Sequence, residues 1–196
     1  MQTVVGIDLG TQSLKVLFYD FSSREVVASE SAELDLYQNE DGAAEQQAHW
    51  WLNALHEAMG KVDPAVKSSA VAVGVSGQQH GFVPMSKSGE VLAPVKLWCD
   101  TSTVAECGEI MEAYGSEQSC LEEVGNLILP GYTASKVRWL GKESESLYEQ
   151  MDDHTVELPE QNNQPSSQFL DTLTMMNESG NSEPDDELVD IFIDEA

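Results

Sequence analysis

The chain has 196 residues, enough for one sizeable core, and sets 9 Lys and Arg against 35 Asp and Glu for a formal charge of −26. A surface this acidic repels phosphate backbones and anionic lipid, so nucleic acid and membrane surfaces are not expected partners. The charge is uneven: residues 1–140 carry 8 basic and 19 acidic side chains, residues 141–196 carry 1 and 16.

Met1-Gln2-Thr3-Val4-Val5 has no basic stretch and no long apolar run, so no secretion signal is expected and the chain reads as cytoplasmic. No segment approaches the roughly eighteen consecutive apolar residues of a membrane helix. Residues 4–8 form a short apolar run ending in a carboxylate, and Leu9-Gly10-Thr11-Gln12-Ser13 is turn-like. Residues 14–19 and 25–36 return to strand-like composition, which predicts an antiparallel meander.

From Ala44 the period changes. Ala48, Trp51 or Leu52, Leu55 and Ala58 or Met59 recur at three to four residues and predict an amphipathic helix, closed off by Pro64. Trp50 and Trp51 belong to its packing. Residues 69–76, small and β-branched, suit a strand buried on both faces, leading into the glycine-bracketed loop Gly77-Gln78-Gln79-His80-Gly81. Residues 82–85 and 91–98 read as extended segments around the Lys87-Ser88-Gly89 turn. Helices are expected over 104–114 and 134–151, with Pro130-Gly131 in the loop before the second. Cys99, Cys107 and Cys120 match no zinc spacing and read as reduced thiols, mostly buried.

After about residue 156 the composition turns to Gln, Asn, Ser, Pro and acid, which cannot bury a core. The chain thus divides into a domain over 1–156 and a disordered acidic tail over 157–196, with the start of an amphipathic helix over 186–196.

Three segments carry chemistry. In Gly6-Ile7-Asp8-Leu9-Gly10-Thr11, a carboxylate ends a buried strand and a Gly-Thr turn follows. Gly10 lets backbone N–H groups approach phosphate oxygens, Thr11 adds a hydroxyl donor, and Asp8 beside phosphates makes sense through a divalent metal. Asp8 bonding its own turn is the plainer alternative. Gln78, Gln79, His80 and Gly81 follow a strand's carboxyl end, where ligands of open α/β sheets bind, and two amides with an imidazole suit a polyhydroxylated ligand. Trp98 and Asp100 in Leu97-Trp98-Cys99-Asp100 add an aromatic face and an acceptor, although Trp98 alone reads more readily as a core residue.

The ordered set of these motifs, with Ala44-Glu45-Gln46 before Trp50-Trp51 and with Gly125-Asn126, Pro130-Gly131-Tyr132-Thr133-Ala134-Ser135-Lys136 and Trp139, resembles the FGGY carbohydrate kinases over residues 3–156. Within them it is similar to the N-terminal part of the xylulose-phosphorylating members. The resemblance implies an α/β, ribonuclease-H-like domain of the actin and hexokinase superfamily, incomplete in this chain. It also implies phosphorylation of D-xylulose at its 5-hydroxyl, with ATP and Mg2+. By the same resemblance Asp8 is the metal-associated carboxylate, Gly10 and Thr11 bind the ATP phosphates, and Gln78, Gln79, His80, Gly81, Trp98 and Asp100 bind the sugar.

The chain departs from the family pattern at Gln79, where Met is usual, at Cys99, where Asn is usual, and at Ser135, where Pro is usual. The family's catalytic Asp is expected beyond residue 196, so this polypeptide alone is expected to be inactive. The intact enzyme admits a homodimer. Residues 185–196 resemble the opening helix of histidine phosphotransfer domains, which keeps open a non-catalytic interaction or signalling protein as the alternative.

Overall fold

A computed structural model describes residues 2–151. The expected tail over 157–196, its helix over 186–196 and the end of the expected domain after residue 151 lie outside the described residues. The elements in chain order are strands β1 (Thr3–Leu9), β2 (Ser13–Asp20), β3 (Glu25–Glu33), β4 (Tyr37–Gln38) and β5 (Ala44–Gln46), then helices α1 (Ala48–Lys61) and α2 (Pro64–Lys67). Strands β6 (Ala70–Gly77) and β7 (Val95–Lys96) follow, then helices α3 (Val104–Ala113), α4 (Glu117–Val124), α5 (Thr133–Glu143) and α6 (Glu145–Gln150). Among the described residues, no helix is long and apolar enough to cross a membrane. The described chain falls into two compact units, residues 2–34 with 51–77 and residues 35–50 with 78–151.

The first unit is built on a four-stranded sheet in the order β3-β2-β1-β6. The expected meander forms: β1 pairs antiparallel with β2 from Thr3↔Asp20 to Leu9↔Leu14, and β2 pairs antiparallel with β3. Alternation decides which residues face inward, because successive strand side chains point to opposite faces. Leu14, Val16 and Phe18 on β2 and Val5 and Ile7 on β1 are buried accordingly. Each such side chain contributes about 1.5–3 kcal/mol by leaving water. The predicted helix α1 buries Ala54, Ala58 and Met59 at helical spacing, and Lys61 Nζ donates to the Ser31 carbonyl of β3 at 2.7 Å. Pro64 does more than close α1. It opens α2, where its missing N–H is harmless, and Asp63 caps the turn by accepting from Ala65 N.

Strand β6 runs parallel to β1 with Asp8 opposite Ser76. It is not buried on both faces as its composition suggested. It forms an edge of the sheet among the described residues, and its residues 75–77 are exposed.

The second unit has little sheet. Strands β4, β5 and β7 make a three-stranded antiparallel patch, and the expected extended segments contribute only β7 and isolated bridges, Phe82↔Lys96 and Met85↔Val91. The helix expected over 134–151 divides at Ser144, which is extended and whose hydroxyl caps α6 by accepting from Leu147 N at 3.4 Å. Helix α4 was not foreseen. Ser116 caps its start, Gly125 in the left-handed region ends it, and Cys120 is buried on it. Cys107 is buried, Cys99 is half-buried, and all three thiols are free.

Candidate functional site

In the first unit, Asp8 sits near the carboxyl end of β1, exposed, with Lys15 opposite it on β2 and Ser76 opposite it on β6. Gly10 N donates to Ser13 O at 3.0 Å, and a Cβ on Gly10 would lie 3.1 Å from that same oxygen, so the tight turn favours glycine. Leu34 N donates to Gln12 O at 2.9 Å and fixes the turn's far side. A single exposed carboxylate beside a glycine turn fits a cation of the magnesium class, which keeps waters and shares its shell with phosphate oxygens. It does not fit an all-protein cage: among the described residues no three His, Cys, Asp or Glu gather to hold a metal.

In the second unit, the loop after Gly77 carries half-buried Gln78 and exposed Gln79 and His80. His80 adopts φ 58°, the left-handed region that costs a residue with a Cβ roughly 1–2 kcal/mol. Its imidazole lies 4.8 Å from the Tyr132 ring, tilted by 40°, and Tyr132 Oη accepts from Asn126 Nδ2 at 3.2 Å. Trp98 is 52% exposed, so its ring offers a face for contact instead of filling the core. Gly131 is required beside it, because a Cβ there would come within 2.8 Å of the Trp98 carbonyl oxygen.

Asp100 is placed differently from a residue that reaches a ligand. It is fully buried. Oδ2 accepts from Ala44 N at 2.9 Å and Lys96 Nζ at 3.2 Å, and Oδ1 accepts from Ser102 N at 3.1 Å and Ser102 Oγ at 2.6 Å. Burial pushes its carboxyl upward, but the Ser102 and Ala44 hydrogen bonds and the Lys96 ammonium outweigh that and hold it below its ordinary 3.8.

Sequence reasoning assigned no role to the two lysines of this region. Lys96 is buried, donates to Glu45 Oε1 at 2.8 Å and Ser102 Oγ at 3.1 Å besides Asp100, and lies 4.1 Å from the centre of the Trp139 ring. Lys136 is fully buried, and Nζ donates to three backbone carbonyls: His80 and Leu97 at 2.7 Å, Gly131 at 2.8 Å. Burial lowers its ammonium below the ordinary 10.5, against the pull of Asp100 and Cys99. A signal existed for Lys96: a cation between apolar Val95 and Leu97 needs partners if the segment is buried.

The profile of the FGGY family of carbohydrate kinases, N-terminal domain, matches residues 3–161. The xylulose kinase of Haemophilus influenzae is 37% identical over 142 residues, which cover 69% of this chain and 29% of that protein. The xylulose kinase of Escherichia coli K12 is 32% identical over 149 residues, 76% of this chain and 30% of that protein. A crystal structure described as a xyloylose kinase from Brucella ovis superposes with a TM-score of 0.69 at 28% identity, covering 76% of this chain and 31% of that one. The α/β fold is therefore that of the sugar kinases, of the actin and hexokinase type. The chain spans about three tenths of the length of the curated relatives it matches.

Proposed function

Because the chain belongs to the FGGY family of carbohydrate kinases, we propose that the protein transfers a phosphoryl group from ATP to the 5-hydroxyl of D-xylulose, giving D-xylulose 5-phosphate. The observation that carries the reading is the pairing, in one compact unit, of the Gln78–His80 loop with an exposed Trp98. Gln78 and Gln79 each offer an amide donor and acceptor, and His80 a ring nitrogen, for the hydroxyls of a ketose. Gly81 borders open space, since a Cβ there would meet nothing within 4 Å, which leaves room for a ligand beside the loop. Trp98 covers the apolar C–H face of the sugar. Asp100 acts at one remove: with its oxygens bonded to Ala44, Lys96 and Ser102, it fixes the segment that presents Trp98.

In the other unit, the Gly10–Thr11 turn takes phosphate oxygens of ATP on backbone N–H groups and the Thr11 hydroxyl. Asp8 holds Mg2+ directly or through water. The metal supplies charge neutralisation to the phosphates. No residue described here is assigned as the general base for the sugar hydroxyl. The reading further takes the protein as cytoplasmic, homodimeric as the intact enzyme, and without nucleic-acid or membrane partners, in keeping with its charge of −26.

Calorimetric titration of the 196-residue chain with D-xylulose tests the sugar half, with circular dichroism as the check on folding. Saturable binding that weakens about tenfold or more in His80→Ala is expected, the range of a lost hydrogen bond to a polar ligand. A folded wild-type chain that gives no binding heat would overturn the reading. Unchanged affinity in a folded His80→Ala would remove His80 from it.

A further inference from the structure

The three carbonyls that meet at Lys136 have more in common than proximity. One belongs to His80 itself, one to Leu97, immediately before Trp98, and one to Gly131, immediately before Tyr132, whose ring lies against the His80 imidazole. Each carbonyl comes from a different stretch of backbone, and none of the three residues lies inside a regular strand or helix. Buried carbonyls without a ladder need donors from elsewhere. An ammonium has three N–H donors and no acceptor, so its valence matches three oxygens, and charge assistance makes each bond stronger than a neutral one. Lys136 is held on α5, which supplies a rigid anchor for all three.

We infer that Lys136 is a positioning residue for the sugar site, whose ammonium holds the His80 loop, the Trp98 segment and the Gly131–Tyr132 loop in one fixed relation. The inference rests on the sugar-site reading above. Lys136 touches no ligand. Its effect is that the imidazole and the indole are already arranged before a ketose arrives, which removes the ordering cost from binding. A neutral side chain of similar length leaves the His80 and Gly131 oxygens without this donor and leaves Leu97 O with Asp100 N alone, so the three stretches are held less firmly to one another.

The test follows amide hydrogen exchange in the unliganded chain together with D-xylulose affinity, for wild type, Lys136→Met and Lys136→Arg. In Lys136→Met, amides within 78–81, 97–99 and 131–132 are expected to exchange about tenfold faster or more, all three together, while amides of β1 and β2 keep wild-type rates. Ketose affinity falls by about tenfold or more in the same variant. Lys136→Arg, which keeps a cation with several donors but presents them in a planar fork, recovers part of the protection and part of the affinity. Wild-type exchange in the three stretches of Lys136→Met overturns the inference. So does acceleration spread equally over β1 and β2 with no recovery in Lys136→Arg, which marks general destabilisation. If Lys136→Met does not fold, Lys136→Gln takes its place under the same two outcomes. A wild-type chain that binds no ketose would sink the sugar reading, yet the exchange pattern would still decide whether Lys136 holds the three stretches together.

Discussion

The two compact units bury different chemistry. Residues 2–34 with 51–77 bury a run of apolar side chains, among them Val5, Ile7, Leu14, Val16, Phe18, Ala58 and Met59, set by strand and helix period, with Thr3 and Asp20 as their buried polar residues. Residues 35–50 with 78–151 bury Gln46, Lys96, Asp100, Thr103, Glu106, Ser135 and Lys136 alongside a shorter apolar set. The first relies on an attraction proportional to area and indifferent to direction. The second relies on hydrogen bonds between charged and neutral groups, which act only at set distances and angles. Loops that lack a ladder are fixed in direction by the second kind more sharply than by the first. The residues proposed to meet the sugar are on such loops.

Two substitutions of equal expected size probe this contrast from opposite sides. Lys96→Ala leaves Asp100 and Glu45 without their shared cation and should lower stability by about 3–5 kcal/mol, read from the urea midpoint. Phe18→Ala opens a cavity at a fully buried ring and should cost a similar amount, about 3–5 kcal/mol. Hydrogen exchange separates them: the first loss is expected in residues 78–151, the second in β1, β2 and β3. If Lys96→Ala moved the midpoint by less than 1 kcal/mol, burial of charge would not be what holds the second unit.

Gly131→Ala should cost about 1–3 kcal/mol, because the new methyl meets the Trp98 carbonyl oxygen and backbone has to shift. Thermal melts of the variant, with a shift smaller than that of Lys96→Ala, would bear this out. A further effect is gated by pH. The folded pKa of Asp100 lies below its unfolded value, so its contribution is present above the ordinary 3.8 and is lost as pH falls through the lowered folded value. Urea midpoints taken down this range should fall more steeply in wild type than in Asp100→Asn; equal slopes would refute the assignment.

The smallest effect returns to the first unit. Lys61 and Glu57 form an ion pair one helical turn apart with both side chains largely exposed. Glu57→Ala should change stability by only about 0.3–0.5 kcal/mol. A loss approaching that of Lys96→Ala would erase the distinction between charge as surface decoration and charge as framework.

These differences also mark what a reader of the sequence can see. The meander was legible from the strand-like composition of residues 14–19 and 25–36, and α1 from apolar residues recurring every three to four positions between Ala48 and Met59. The buried face of α1 is shifted from that reading: Ala54 is buried with Ala58 and Met59, and Leu52 is exposed. The loops proposed to bind sugar and phosphate, residues 77–81 and 10–11, stood out as glycine-containing motifs. What was not legible depended on partners distant in sequence. Asp100 read as a ligand acceptor because nothing local reveals that Ala44, 56 residues away, donates to it. The role of Lys136 needs carbonyls from residues 80, 97 and 131. Helix α4 escaped notice because its acidic sequence buries only Cys120, although Ser116 and Gly125 bracket it. The exposure of β6 at residues 75–77 depends on what packs over its faces, which composition does not state.

The left-handed backbone of His80 has a consequence for how this chain would change under selection. Glycine at position 80 removes the Cβ penalty and stabilises the loop by about 1 kcal/mol, at the loss of the imidazole. A library randomised at that codon and sorted only for heat resistance would enrich glycine. The same library sorted for ketose retention would keep histidine. Sequencing the two pools would show, at one codon, how far the demands of endurance and of recognition diverge.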